Sequence, residues 1–429
     1  MLSTQQQLAE SERWDPEDVT NMQFGQLLNV IAHARETVPY YRDRLPGKTP
    51  DTSAGLAREW TEVPLLRRRT VQEARDRLLS EAVPPGHDNL HVVETSGSTG
   101  TPVATYGTDI TRYYWYAFTL REHLWHGRDF ETLLMSIRPE TAVAANEVQR
   151  ANGWGPATDS VYPTGPMIVM NSSTDIARQA AALAAANPAY LLSLPSNLLA
   201  LIDYCETAHI ALPRLREVRT FAEALNPRVR ERCLAVWGVP VIDTYSAQEV
   251  GYIAAQCPEN EHYHVQSENL LLEVLDENDV PCAPGKIGRV VLTTLHNFAM
   301  PLIRYEIGDY AEVGADRCSC GRRLPTLTRI LGRERNMLTL PDGRRMWPSF
   351  PSELWLKQFP IRQLQLVQLE RDRIEARIAA SGPMSAEQER GFAQMLAGRL
   401  GYPFDVTYTY PDEIERGANG KFEDFISRV

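Results

Sequence analysis

The chain has no apolar run long enough to cross a bilayer. Its most hydrophobic stretch, residues 180–202, is broken by Asn187, Pro188, Pro195 and Asn197. Cysteine is scarce: six residues, too scattered for a disulfide framework, so a reducing cytoplasm is expected. The polar opening, residues 1–16, lacks the apolar centre of a secretory leader, and none is expected. Positive charge is also short. Against 55 acidic residues stand 44 Lys and Arg, a net charge of −11, which argues against nucleic acid or an anionic membrane as partner. An anionic substrate must therefore be met by a local cation, a metal or a donor-rich loop.

What is present suits a soluble globular protein: 43% hydrophobic and 23% charged residues. With 429 residues the chain exceeds one ordinary core, so a large domain and a smaller one are expected. Helical spacing of Met22, Leu27, Leu28, Ile31 and Ala32 predicts a helix over 18–35, and 67–79 reads as a second, charged helix. From residue 166 to 243 strands alternate with helices: strands at 168–170, 190–193, 218–222 and 240–243, helices at 174–186, 196–209 and 227–237. That alternation predicts parallel strands with crossover helices, and loops after Val93, Ala222 and Asp243 at the carboxyl ends of strands, where ligands bind. Closely spaced strands at 270–275, 288–294 and 310–313 then predict a β-rich subdomain, about 252–331. Strands at 363–369, 373–379 and 404–410 with a helix at 385–400 predict a small α+β domain over 332–429. The fold class is thus α/β: a large N-terminal domain, 1–331, with mixed and parallel sheets, and a small C-terminal one.

Chemistry concentrates in four places. Glu94-Thr95-Ser96-Gly97-Ser98-Thr99-Gly100-Thr101-Pro102 packs five hydroxyls and two glycines into nine positions. Such a loop can wrap phosphate oxygens with backbone amides, although no Gly-Lys-Ser/Thr ends it as in a Walker loop. In Asp243-Thr244-Tyr245-Ser246-Ala247-Gln248-Glu249 a ring that can stack on a base and a carboxylate that can help hold Mg2+ lie four residues apart. The carboxylate of Gly308-Asp309 can accept from two vicinal hydroxyls, as a ribose offers, although Gly-Asp is also a common turn. Lys421, in Gly417-Ala418-Asn419-Gly420-Lys421, can swing a point charge onto a phosphate or carboxylate.

In order and spacing these segments resemble the adenylate-forming superfamily, and more closely its phenylacetate–CoA ligase branch. Matching pieces also include Ala34-Arg35-Glu36-Thr37-Val38-Pro39-Tyr40-Tyr41-Arg42, Phe221-Ala222-Glu223-Ala224, Pro301-Leu302-Ile303-Arg304-Tyr305, Cys318-Ser319-Cys320-Gly321-Arg322 and Gly332-Arg333. The resemblance implies ATP-dependent activation of a carboxylic acid to an acyl adenylate, then transfer to coenzyme A. It implies that Thr95, Ser96, Gly97, Ser98, Thr99 and Gly100 hold the β- and γ-phosphates, and that Ala222, Glu223 and Tyr245 bracket adenine. Glu249 would sit near Mg2+, Asp309 and Arg333 would bind the ribose, and Lys421 would contact the substrate carboxylate and the α-phosphate. A mobile C-terminal lid and a two-fold dimer are further implications. Two departures stand out: Arg335 occupies the usual acid of the hinge, and Phe422-Glu423-Asp424-Phe425 lacks the basic residues common after the lysine.

Cys257, Cys318 and Cys320 with one histidine can close a tetrahedral zinc site, and the alignment that the resemblance implies favours His264 over His262. Cys205, Cys233 and Cys282 read as structural. Tyr113, Tyr114, Trp115, Phe118, Trp125 and Trp154 fall where the family builds its acyl pocket and would suit an aromatic acid, although most also read as core. Two alternatives stay open: delivery of the acyl group to a carrier-protein thiol or an amine, and a non-catalytic nucleotide-binding homologue.

Overall fold

The computed structural model describes residues 1–45, 50–87, 89–94, 104–139, 142–333, 336–346, 348, 355, 358–414 and 423–429. Helices α1 (Leu2–Ser11), α2 (Pro16–Thr37), α3 (Ser53–Glu59) and α4 (Arg68–Glu73) precede a hairpin and a long helix. Strand β1 (Leu66–Arg67) lies between α3 and α4; the hairpin is β2 (Leu90–Glu94) with β3 (Ala104–Thr108); the long helix is α5 (Asp109–Trp125). The alternating region follows: β4 (Leu134–Arg138), β5 (Val148–Ala151), α6 (Pro156–Asp159), β6 (Met167–Asn171), α7 (Ile176–Ala186), β7 (Tyr190–Ser193), α8 (Pro195–Thr207), β8 (Glu217–Phe221), α9 (Pro227–Trp237) and β9 (Val241–Ala247). Then come β10 (Gly251–Gln256), β11 (Tyr263–Val265), β12 (Leu270–Leu275), β13 (Ile287–Thr294), β14 (Tyr305–Val313) and β15 (Thr326–Arg333).

These strands, the β2–β3 hairpin apart, form one sheet in the order β12-β13-β14-β15-β11-β10-β9-β8-β7-β4-β6-β5, with β1 paired to β14. The pairs β6–β4–β7–β8–β9 are parallel, and every pair from β9 to β12 along that order is antiparallel. The change of direction at β9 has a sequence cause. From β6 to β9 each strand is separated from the next by a helix, whereas Gly251, at φ +84°, lets the chain fold straight back. Helices α7, α8 and α9 bury Ala180, Leu183, Leu198, Leu201, Ile202, Val229 and Cys233 on the parallel part, in a core that also holds Cys205. A separate core gathers α2 and the antiparallel strands around Leu27, Ile31, Leu292 and Tyr305.

The C-terminal domain has its own sheet. After the short strands β16 (Leu338–Thr339) and β17 (Arg345–Met346) come β18 (Ile361–Glu370), β19 (Arg373–Ala380), α10 (Ala386–Leu400), β20 (Asp405–Thr409) and β21 (Phe425–Ser427), ordered β20-β19-β18-β21. Helix α10 is held by a Ser385/Gln388 capping box and buries Phe392, Leu396 and Leu400 on the sheet.

Three sequence expectations change. The helix expected over 67–79 is β1, the two-turn α4 and a single 3-10 turn, Arg75–Leu78, because only Val71 and Leu78 offer buried apolar anchors along that stretch. The segment after Val93 does not leave a parallel strand. It joins β2 and β3, paired antiparallel as a two-stranded ribbon from Leu90↔Thr108 to Glu94↔Ala104. Likewise β9 runs on past Asp243 to Ala247 before reversing. No helix among the described residues is long and apolar enough to cross a membrane.

Helix α1 is fastened by charge. Arg121 of α5 donates to Leu8 O and both oxygens of Glu268, each at 3.0 Å, and pairs with Glu12 at 3.4 Å. Glu12 also accepts from Trp125 Nε1 at 2.8 Å and pairs with Arg322 at 3.3 Å. The guanidinium groups of Arg121 and Arg322 lie 4.8 and 4.3 Å from the Trp125 ring centre. Deeper in α5, Glu122 is buried against Arg128 and Arg219.

Candidate active site

Four segments far apart in sequence meet at the end of β9. Tyr245 donates its hydroxyl to Asp309 Oδ2 at 2.8 Å. Asp309 faces Arg333 in the β14–β15 ladder, and Arg333 Nε lies 3.5 Å from Asp309 Oδ1. Asp309 is not in a turn. It sits inside β14 beside Gly308, at φ +90°, where Val291↔Glu306 jumps to Arg289↔Tyr310. Such a bulge re-aims the neighbouring side chain. Burial holds the Tyr245 phenol well above its usual range and Asp309 adds to this, so the hydroxyl keeps its proton and donates.

Ala222, just after β8, has φ +66°, a left-handed conformation unusual for a residue with a Cβ. The next residue, Glu223, accepts from Ser196 N at 2.8 Å and Ser196 Oγ at 3.0 Å, capping the start of α8. That cap fixes the loop, and a Cβ on Gly332 would stand 3.5 Å from Ala224 Cβ, so the loop lies beside Gly332-Arg333.

Glu249, in the β9–β10 turn, is buried. Its Oε1 lies 3.2 Å from Arg68 Nη1 and accepts from Tyr305 OH at 3.3 Å, and Arg68 Nη1 also donates to that phenol oxygen at 3.2 Å. Its Oε2 has no partner among the described residues. Arg68 was not legible as a site residue: it is one of three consecutive arginines, and only the β1–β14 pairing selects it.

Next to Glu249 is a cavity of about 190 Å³. Among the described residues, its walls include His91, Gly107, Trp115, Glu249, Asn269 and His296. Gly107 is required there, since a Cβ would stand 2.6 Å from His91 Nε2. Of the six aromatic residues expected around an acyl pocket, Trp115 lines this cavity, and Tyr114 backs it by stacking on His296 with ring centres 3.7 Å apart. The others serve elsewhere. Phe118 packs with Leu8 and Tyr252, Trp154 with Phe130 and Tyr190, Trp125 lies against Arg121 and Arg322, and Tyr113 is exposed. His91, Asn269 and His296 carry no motif by which sequence could single them out.

Thr95, Ser96, Gly97, Ser98, Thr99, Gly100 and Lys421 lie outside the described residues, as do the hinge residues Glu334 and Arg335.

Cys257, His264, Cys318 and Cys320 come together, with their ligand atoms all within 4.8 Å of one another. Cys257 Sγ is 3.6 Å from Cys318 Sγ, far beyond a disulfide, and Cys320 Sγ is 3.4 Å from His264 Nε2. Tetrahedral zinc bond lengths imply S···S of roughly 3.8 Å and S···N of roughly 3.6 Å. The donor set and spacing therefore fit zinc. Asn260 Nδ2 donates toward Cys257 Sγ at 3.5 Å and Cys318 Sγ at 3.4 Å, and the Glu259 amide toward Cys257 Sγ at 3.5 Å, an outer shell suited to thiolates.

No family model matches the chain. It is 25% identical over 355 residues to phenylacetate-coenzyme A ligase of Thermus thermophilus, covering 79% of this chain and 76% of that protein. It is 24% identical over 447 aligned positions to the phenylacetate-coenzyme A ligase of Aromatoleum evansii, covering 97% and 96%. Among solved structures, 2-hydroxyisobutyryl-CoA ligase in the postadenylation state, in complex with 2-HIB-AMP, superposes with a TM-score of 0.76 at 21% identity, over 98% of this chain and 91% of that one. The fold is thus that of a CoA ligase of this kind. The sequence similarity to a phenylacetate-coenzyme A ligase runs along nearly the whole chain.

Proposed function

We propose that the protein is an AMP-forming acid–thiol ligase that activates a carboxylic acid, aromatic in character, with ATP and passes the acyl group to coenzyme A. The observation that carries this reading is the convergence of Tyr245, Asp309 and Arg333 beside a buried Glu249, one of whose carboxylate oxygens has no partner among the described residues. Adenine stacks on Tyr245 and against the backbone of Ala222 and Glu223, since the Glu223 carboxylate is occupied by Ser196. Asp309 takes the ribose hydroxyls, having acceptor sites to spare beyond Tyr245 and Arg333. Thr95 to Gly100 wrap the β- and γ-phosphates. Mg2+ would be held by Glu249 Oε2, where it would neutralise phosphate charge; Arg68 and Tyr305 fix that carboxylate through its other oxygen.

A carboxylate oxygen of the acid attacks the α-phosphorus, the bond to the bridging oxygen breaks, and pyrophosphate leaves in line. Both partners are anionic, so the donors of the loop and Lys421 stabilise charge that builds in the transition state. The thiol of coenzyme A then loses its proton to solvent and attacks the acyl carbon, expelling AMP. Residues 332–429 rotate between these steps about Gly332-Arg333. The cavity by Glu249 holds the acyl group. Its volume, about 190 Å³, compares with about 150 Å³ for an engineered cavity that takes benzene, so it suits one ring with a small substituent. Zinc in the Cys257/His264/Cys318/Cys320 cluster would be structural, tying β10, β11 and the 318–322 loop together.

The test is pyrophosphate release with a panel of aryl acids, with and without coenzyme A. Pyrophosphate released only with an acid, and a thioester formed only with coenzyme A, is the expected result. A thioester appearing only with a carrier protein would change the acceptor, and no acid-dependent pyrophosphate would end the ligase reading.

A further inference from the structure

The cavity beside Glu249 offers acceptors. Asn269 uses its amide nitrogen on two backbone carbonyls, Val250 O at 3.1 Å and Tyr252 O at 2.8 Å. Its Oδ1 has no hydrogen-bond partner among the described residues and is not fully buried, which leaves it open to an occupant. His296 Nε2 lies 2.7 Å from Glu268 O. A carbonyl can only accept, so Nε2 carries the ring proton. Burial pushes the imidazole down to about 4, so it is neutral and Nδ1 is a bare acceptor. Among the described residues that atom too lacks a partner, and it is not fully buried.

Both acceptors are held in place. The His296 ring is clamped between the Glu268 carbonyl and the face of Tyr114, tilted only 8° from it. Asn269 is pinned by its two carbonyl bonds, and a Cβ on Gly251 would stand 3.3 Å from its Nδ2. The charged donor at the rim, Arg112, is paired with Asp109 and half exposed.

We propose that the acid this enzyme activates carries a hydrogen-bond donor on its ring, a hydroxyl or amino group, which pairs with His296 Nδ1 and Asn269 Oδ1; an unsubstituted ring such as that of phenylacetate is the poorer substrate. This rests on the reading of the cavity as the acyl site. An unsubstituted ring would cover both acceptors without satisfying them, and each acceptor buried unpaired lowers binding by roughly one order of magnitude. A site built to bond a substrate O–H or N–H rejects an analogue without it far more strongly than a greasy pocket rejects a missing methylene.

The test compares matched acids in the pyrophosphate-release assay without coenzyme A: benzoate and phenylacetate, their ring-hydroxy and ring-amino derivatives, and the corresponding methyl ethers, which accept but cannot donate. The best donor-bearing acid is expected to exceed both its unsubstituted parent and its methyl ether in kcat/KM by at least about 10-fold. His296→Phe keeps an aromatic ring against Tyr114 and removes the acceptor, and the ratio between donor-bearing acid and parent should fall several-fold toward one. Parents or ethers within about threefold of the donor-bearing acids overturn the proposal, and this comparison stands even if the variant does not fold. A variant that keeps the wild-type ratio, and changes only the KM for coenzyme A, also overturns it and assigns the acceptors to the amides of the pantetheine arm. Absence of acid-dependent pyrophosphate from the whole panel overturns the ligase reading and this proposal with it.

Discussion

The Tyr245 hydroxyl and the Asp309 carboxylate, 64 residues apart in sequence, meet at 2.8 Å, and Arg333 approaches the other carboxylate oxygen at 3.5 Å. In the proposed site this pair orients the ribose ligand before ATP arrives. Tyr245→Phe should therefore raise the KM for ATP about 10-fold, the scale of a hydrogen bond to a charged group. Asp309→Ala should raise it more, about 100-fold, with the acid KM little changed. Equal effects on both substrates would place Asp309 elsewhere in the reaction.

Lys421→Ala should lower adenylation by about 10²–10³, the scale of one lost donor to developing charge, while ATP affinity by calorimetry stays near wild type. Thioester formation from supplied acyl adenylate and coenzyme A should persist. A variant that adenylates normally would remove Lys421 from the mechanism.

Metal analysis of protein purified without chelator should find about one zinc per chain. Cys320→Ser should lose that metal and lower Tm, because binding energy at a structural site is folding energy. Zinc-free protein with the same Tm would leave the cluster as free thiols.

Acid should destabilise the protein from pH 6.5 downward. Burial pulls His126 and His296 from 6.5 to about 4 and holds His123 well below its usual range. The unfolded chain therefore takes up protons first as pH falls, and their contribution, fully present above 6.5, is lost toward 4. Glu122 acts in the same direction lower down: burial would raise its carboxyl, but Arg128 and Arg219 outweigh burial and hold it well below its usual range. Asp243, which burial raises to about 6, opposes both, as do Glu217 and Asp424, which burial also raises, since their protonation favours the folded state. The histidine contribution is lost from 6.5 downward and dominates this interval, so Tm measured by calorimetry should fall by several degrees between pH 7 and pH 5. A flat profile would mean that these rings are hydrated.

The parallel half of the fold was legible because its strands and helices have distinct periods; the strand at 190–193 and the helix at 227–237 were located to the residue. The antiparallel half was less so. A bulge at Gly308 hides the first residues of β14, and an alternating exposed ribbon such as β2, with Leu90 and Val92 facing water, looks like a buried strand in sequence. Among the site residues, those in glycine-, serine- or cysteine-bearing motifs could be named in advance. Arg68, His91, Asn269 and His296 could not, because an isolated polar residue gains meaning only from the partners that the fold assigns it.

Glu12 links the chain's opening helix to Arg121, Trp125 and Arg322, and Arg322 lies two residues from Cys320. Arg121 in turn holds Glu268, whose carbonyl anchors His296. An expression clone whose start codon was set a dozen residues late would therefore do more than trim a frayed end. It would take Glu12 from both Arg121 and Arg322, slacken the cysteine loop, and blur the cavity beside Glu249 from a distance, and the resulting enzyme would pass for one of relaxed specificity.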